Sequence, residues 1–545
     1  MVAFALKPLQ ILGGILSTSL LTVMSLEVLT TAAISQPPAA SVQTKLEVPS
    51  TMAFAPFNTN RYLKVPPNFS ISVYARITNA RFMAVAPNGD LLVSQPSIKD
   101  PITRKESSTG KVLIVRPNGN EDPIISDFVT GLRRPHDIVF HKIDNTTYVY
   151  ISETNQINRF IYNSGDIIAK NRQIVISGLP DKSTSELKGT YGHELKNIAL
   201  DANHKLYVSI ASTCNACKED TVSTPKRGAI YQYNANGTNQ RLFAQGLRNA
   251  EGLAFLPGTN DLWVVVNNRD NILYPFNDGS GNYGKKILSY VDNHPPDEFT
   301  KVRDGGNYGW PFCNPNPDTS TGFNNMPFDR DYEFNRDGSV DCNAIDRISK
   351  GIQAHSAPLG LTFLQNTNFP SLYSSGAVVA LHGSWNRQKT TGTKIAYFPW
   401  NSTTNTLGEE IDLVNGWLVP TTEERWGKPV DMVVDLQGNL LISDDTSGTI
   451  YKLSYTPPAQ VKVYRDPNLT GVSQSFPTSP GVYQAIKGDL NVVGNDTISS
   501  LSVPPGRVVR VCQNETGGLC REFSAGDYKS VGADLDNSIS FIEVK

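Results

Sequence analysis

The sequence predicts an all-β protein: a six-bladed β-propeller followed by a small double Greek-key domain. Two observations carry this expectation. A turn followed by a strand-like segment recurs six times, and after Ser454-YTPPAQ the pattern changes to two similar halves built of short alternating strands. Composition agrees, since 42 Gly, 35 Pro, 22 Phe and 21 Tyr with only 18% charged residues suit many strands joined by turns and lack the bias of helical proteins.

The six copies begin at Ala86-PNGDLLVS, Lys142-IDNTTYVYIS, Leu200-DANHKLYVS, Leu256-PGTNDLWVVV, Pro370-SLYSSGAVVAL and Val434-DLQGNLLIS. With Leu91, Tyr148, Leu206, Leu262, Val378 and Leu440 as equivalent points, the steps are 57, 58, 56, 116 and 62 residues. Only the fourth is long, and it holds a loop-rich stretch over residues 277–350. A period near 58 with several strands per unit is that of a propeller blade with long loops at one face. Closure into a ring removes the exposed sheet edges that otherwise template aggregation.

An apolar stretch over residues 9–29 follows Lys7 and precedes a small-residue segment, Gln36 and two prolines, the pattern of a secretory leader cleaved after Ser35. An uncleaved anchor is the alternative, weakened by Gly13, Gly14 and Glu27. The expected organisation is therefore a leader over 1–35, a propeller over 36–456 and a second domain over 461–545, in a secreted protein, periplasmic or extracellular. No later segment is apolar enough to span a membrane. A net charge of -2, from 49 basic and 51 acidic residues, leaves no basic surplus for nucleic acid.

Six cysteines suit an oxidising compartment and pair by proximity as Cys214 with Cys217, Cys313 with Cys342, and Cys512 with Cys520. A zinc half-site or redox pair at Cys214-NAC is the rival reading, but no second ligand pair follows at zinc spacing.

In the second domain, one half runs from Val461-KVYRDPNLTGVSQSF to Asn495-DTISSLSV and the other from Val508-VRVCQNETGGLCREF to Asp536-NSISFIEV. These paired tails resemble the microbial βγ-crystallins, a resemblance that implies calcium ligands at Asn495, Asp496 and Ser499 and at Asp536, Asn537 and Ser540. Phe541 stands where the second signature expects a final Ser, so one calcium site is better supported than two. Turn capping without metal is the alternative. An extracellular polymer is a candidate partner of this domain.

The propeller carries further landmarks in order: Val65-PPNFSISVYA, Gly189-TYGHELKNIAL, Gly246-LRNAEGLAF, Pro296-DEFTKVRDGGNYGWPFC, His355-SAPLGLTF, Leu381-HGSWNR and Gly427-KPVDMVVDLQGNLLISDD. Together they resemble the soluble quinoprotein sugar dehydrogenases, the family of soluble glucose dehydrogenase, L-sorbosone dehydrogenase and the fungal pyranose dehydrogenase domain. The resemblance implies pyrroloquinoline quinone (PQQ) and Ca2+ as cofactors and a sugar as substrate. It assigns His193 as general base and Arg248 with Asn249 to the quinone, Arg248 also polarising a carbonyl. Lys428 stands where the family carries an Arg on a cofactor carboxylate, keeping the charge but losing the bidentate fork. Calcium would be held by the carbonyls of Asn268 and Arg269, with Asp270 either a ligand or the partner of Arg269. His382, Trp385 and Arg387 are expected at the channel mouth, Trp385 as a stacking face or else as a core wedge. Arg134 and His136 are candidate specificity residues.

The implied function is oxidation of an aldose or aldehyde sugar by hydride transfer to PQQ, with electrons passed to an unidentified acceptor. Two other classes stay open: a propeller that only binds a glycan or protein, since fold does not fix function, and a calcium-dependent lactonase, which needs several channel carboxylates on its metal.

Overall fold

The structure, a computed structural model, describes residues 40–98 and 106–545. The leader and the cleavage point after Ser35 lie outside the described residues. Within the unit Ala39–Lys545 the chain is nearly all β, with only two short α-helices, Glu219–Val222 and Leu288–Val291, and some single 3-10 turns among the described residues.

Six antiparallel sheets of four or five strands follow one another along residues 69–455. The first runs Met83–Val85, Leu91–Gln95, Gly110–Asn118 and Glu121–Leu132, and each later sheet repeats this inner-to-outer order. The sixth breaks the rule. Its strands Pro429–Val434, Leu440–Asp444 and Thr449–Tyr455 are completed by Phe69–Arg76 from the start of the chain, with Ile71 opposite Leu453. Chain start and chain end thus share a sheet. The turn-plus-strand copies of the sequence are the second strands of the six sheets, and those at Leu91–Gln95, Leu262–Val266, Ala377–Leu381 and Leu440–Asp444 are buried throughout. Cover on both faces is why they read as unbroken apolar runs.

The long fourth step proves to be an insertion inside one sheet. Asp297–Val302 and Ile348–Ile352 pair with each other, and the intervening chain adds Asn324–Met326 to their edge and forms a small ladder of Cys313–Pro315 with Phe328–Arg330. Its Gly306–Asn307 also pairs in parallel with Arg241–Gln245 of the third sheet.

Buried carboxylates stitch neighbouring sheets where the inner strands start. Asp431 of the sixth sheet accepts the Met83 N–H of the first at 2.8 Å, Asp137 accepts the Ile198 N–H at 2.9 Å, and Asp297 accepts the Ala357 N–H at 3.0 Å. Burial pushes Asp431 up to about 8, Asp137 to about 7 and Asp297 to about 6, because a desolvated carboxylate resists ionisation.

Residues 460–544 form two more four-stranded sheets. In one, Thr470–Pro477, Gln460–Asp466 and Ser500–Val503 from the first half receive Gly526–Tyr528 from the second. In the other, Gly481–Gln484 from the first half joins Phe541–Val544, Val509–Asn514 and Gly517–Phe523. The third strand of each half therefore crosses to the other's sheet, and a shared core of Val463, Ile498, Leu501, Val511, Ile539 and Ile542 lies between them. All three cysteine pairs expected from the sequence are disulfides, and no free cysteine is left.

Candidate active site

The residues assigned to chemistry sit either just before the first strand of a sheet or in the loop after its second strand. His193 precedes Ile198–Leu200, Arg248 and Asn249 lead into Ala250–Phe255, and Lys428 precedes Pro429–Val434. Asn268 and Arg269 lie in the loop after Leu262–Val266. The cleft of about 500 Å³ lined by Glu47, Ser72, Tyr74 and Lys452 contains none of them, and it offers no comparable set of buried donors.

His193 is locked in one tautomer. Its Nδ1 lies 2.8 Å from the Ser212 carbonyl oxygen and 3.1 Å from Ser212 Oγ. A carbonyl only accepts, so Nδ1 carries the proton and Nε2 keeps its lone pair. Burial, and next the nearby Arg248 charge, push the imidazole down to about 4. It is therefore neutral and able to accept a proton near pH 7.

Arg248 is buried, and its guanidinium is tied mostly to neutral acceptors. Nε donates to the Asn215 carbonyl at 2.9 Å, Nη2 to Asn215 Oδ1 at 3.1 Å and Nη1 to the Asn267 carbonyl at 3.2 Å. Asp270 stands 3.7 Å from Nη2. Burial lowers Arg248 to about 10, which still leaves it charged. The adjacent Asn249 amide donates to Glu251 at 3.0 Å, and Glu251 in turn meets His136 at 3.3 Å. His136 is 0% exposed, so it is out of a substrate's reach and is not the specificity residue expected from the sequence.

The side chains of Asn268 and Arg269 are already engaged, Asn268 with Glu298 at 2.9 Å and Arg269 with Asp331 and Glu333, each at 2.5 Å. Of the two readings of Asp270, pairing with Arg269 is not the one that forms. Asp270 instead lies between Arg248 and His355, whose Nδ1 is 3.3 Å away. The backbone carbonyls of Asn268 and Arg269 accept no hydrogen bond from the described residues, although both residues are buried. Two free carbonyls beside a carboxylate are a hard-cation donor set.

Lys428 is half-buried, and its ammonium has no ion pair or hydrogen bond among the described residues. Burial lowers it, and the Arg425 charge lowers it further. Arg425 donates to the Ser384 carbonyl through Nη2 while its buried Nε stays unpartnered. Two cations with spare donors and no carboxylate of their own suit an anionic ligand. Trp385 is 72% exposed, which excludes the core-wedge reading and leaves its ring face open. His382 pairs with Asp445 at 3.0 Å, and Arg81 meets the same carboxylate at 2.8 Å. Arg387 is partly committed, its Nε donating to the Lys389 carbonyl and its Nη1 to the carbonyls of Asp292 and Ala354.

In the second domain the signature residues meet across the two halves. Ser540 Oγ donates to Asp496 at 3.0 Å, and Ser499 Oγ lies 3.5 Å from Asn537 Oδ1. Asn495 bonds Asp496 at 3.0 Å, and no side-chain hydrogen bond ties Asp536 to another described residue. Ser500 caps the Asp466 carbonyl at 2.6 Å.

Reasoning from the sequence missed Asn215, Arg425 and Trp310. Asn215 was hidden inside a motif read for its two cysteines, and Trp310 donates its Nε1–H to the Asn215 carbonyl at 3.2 Å. Arg425 stands three residues before Lys428, where a second cation was a readable signal.

The TrAA12-like family matches residues 63–456, more than half of the chain. The protein belongs to that family. A protein of Borreliella burgdorferi without assigned function is 27% identical over 310 residues, 56% of this chain and 70% of that one. The holo pyranose dehydrogenase PQQ domain of Coprinopsis cinerea is 19% identical with a TM-score of 0.57, over 72% of this chain and 97% of that one. An iodide structure of the carbohydrate-active family AA12 enzyme of Trichoderma reesei is 18% identical with the same TM-score and coverage. At such identities these structures establish the fold, a β-propeller.

The tautomer and burial of His193 give a direct test. Its imidazole titration, followed by NMR and assigned by comparison with His193→Gln, is expected to have a midpoint near 4. Because the unfolded chain then binds a proton that the native site refuses, this group makes stability fall as pH drops from about 6.5 toward 4. A midpoint near 6.5 would contradict the buried, neutral site.

Proposed function

We propose that the protein is a PQQ-dependent oxidoreductase acting on an aldose or an aldehyde sugar, with the six sheets as blades of one closed propeller. The observation that carries this is a neutral His193 with a fixed proton-accepting Nε2 beside the buried Arg248 cation. Family membership and the PQQ domain from Coprinopsis cinerea support the choice of cofactor. The residues present fit that group. Lys428 and Arg425 offer uncommitted cationic donors to its carboxylates, Arg248 and Asn249 its quinone face, Trp385 an open ring, and the Asn268 and Arg269 carbonyls a calcium ion.

When bound, PQQ supplies the hydride acceptor, chemistry no side chain provides. His193 Nε2 takes the proton of the sugar hydroxyl, and Ser212 stabilises the resulting imidazolium through the hydrogen bond at Nδ1. Arg248 holds a fixed positive charge in a desolvated setting, where it acts on developing negative charge without reorganising. A lactonase would need free channel carboxylates, whereas Asp137, Asp297 and Asp431 are committed to backbone N–H groups of the next sheet.

His193→Ala is expected to bind PQQ as the wild type does but to lose about two to four orders of magnitude in kcat, and Arg248→Ala to lose affinity and turnover together. Spectral titration with PQQ and dye-coupled turnover of an aldose separate the two effects. Retained turnover in both variants would sink the assignment.

We also propose that residues 461–545 are a βγ-crystallin-like domain that binds calcium, on the support of its exchanged-strand topology. The Asp496 carboxylate meets Ser540 of the other half, so the site draws on both halves. In equilibrium dialysis of the full chain, Asp496→Ala should lose a bound calcium ion that Asp536→Ala keeps. Equal stoichiometry in both variants and the wild type would leave only turn capping.

A further inference from the structure

We propose that Asn215, held in place by the Cys214–Cys217 disulfide, is a positioning residue that fixes the Arg248 guanidinium against the Asp270 loop. The proposal rests on the reading of Arg248 given above for its consequence in catalysis, but its geometry stands independently.

Arg248 has no carboxylate at hydrogen-bond distance, Asp270 being 3.7 Å away. Its orientation is therefore set by neutral acceptors, and Asn215 supplies two of the three, its own carbonyl and its side-chain Oδ1. The same side chain grips the neighbouring loop at both ends of its amide. Oδ1 accepts the Asp270 N–H at 2.8 Å, and Nδ2 donates to the Asp270 carbonyl at 2.9 Å. Only an Asn does this in so short a reach, since it offers acceptor and donor on one planar group. Aspartate would lose the donor, and alanine would lose both.

The disulfide explains how one residue serves two groups. Asn215 needs its backbone carbonyl and its side chain aimed at the same guanidinium, a conformation that a free four-residue loop would hold only at an entropic cost. Cys214 and Cys217 are bonded across it, which removes much of that freedom from the loop. The Trp310 indole donates to the same carbonyl at 3.2 Å. The loop is also joined to the base, since Ser212 Oγ donates to the Cys214 carbonyl at 2.8 Å while the Ser212 carbonyl accepts from His193. One clamp thus sets the distance between the buried cation, the proton acceptor and the loop that offers the Asn268 and Arg269 carbonyls.

The test reads Arg248 without any cofactor. Phenylglyoxal condenses with accessible guanidinium groups, and peptide mapping reports each arginine separately. In Asn215→Ala, and in the double variant Cys214→Ser with Cys217→Ser, labelling of Arg248 is expected to rise about tenfold, the effect of losing hydrogen bonds of ordinary strength. Arg76, whose guanidinium is tied to Met52, Ala55 and Ser447, should label as in the wild type and so report an intact fold. Arg248 labelling that stays unchanged in Asn215→Ala, or that rises only together with Arg76, overturns the proposal. A second arm uses PQQ affinity, read by spectral titration. Asn215→Ala should weaken it about tenfold in the wild-type background and leave it unchanged in Arg248→Ala, because a residue acting through another adds nothing once that other is gone. Additive losses would overturn the positioning role. A wild-type protein that takes up no PQQ would remove the proposed function, and the labelling arm would still decide the clamp.

Discussion

The structure depends on one pairing, the antiparallel ladder between Phe69–Arg76 at the start of the chain and Thr449–Tyr455 near the end of the propeller. It completes the sixth sheet with a strand from the start of the chain, a pairing between segments far apart in sequence. Loop-closure entropy opposes such a contact. What holds it is a shared core, in which Ile71, Val73, Tyr451 and Leu453 pack with Leu63, Val65 and Trp417. At the inner rim the same closure is repeated by the Asp431 carboxylate on the Met83 N–H. His193 and Lys428 hold the same place in their sheets, each shortly before the first strand.

Around that axis the fold trades solvation for preorganisation. His193, Arg248 and Lys428 all have their charged forms penalised by burial, and each keeps a donor or lone pair that no described residue consumes in full. The carboxylates of the rim are treated differently. Asp137, Asp297 and Asp431 are spent on backbone N–H groups and hold sheets together. Asp270 is the exception, placed between Arg248 and His355 beside the two free carbonyls. The separation between structural and available charge is what makes the mouth of the ring suitable for an anionic ligand and a cation.

Much of the fold was legible because the second strands of most sheets are buried on both faces, so that apolar runs such as those at Leu91, Leu262 and Leu440 recur after a turn. The closing strand was not marked by this rhythm, since Phe69–Arg76 alternates buried and half-buried residues and looks like any outer strand. The disulfides were legible from proximity alone. The site was legible only where residue type signals chemistry, as with His193 and Arg248. Asn215 carried no such signal, because its importance comes from two loops of successive sheets that only the folded chain brings together. The Asp270 pairing was missed for the same reason: Arg269 is next to it in sequence, but its side chain is drawn the other way by Asp331 and Glu333. The exchange of Ser499 and Ser540 between the halves of the second domain likewise depends on strands that cross from one sheet to the other.

The central claim is that this propeller end binds a quinone and delivers to it the electrons of a sugar. Anaerobic single-turnover absorbance spectroscopy measures it most directly, with the protein titrated with PQQ and calcium and then mixed with an aldose or aldehyde sugar. The account predicts saturable uptake of one PQQ per chain and full reduction of the bound chromophore by substrate in the absence of any external acceptor. Failure of the protein to take up PQQ in the presence of calcium would contradict it and leave a propeller that only binds.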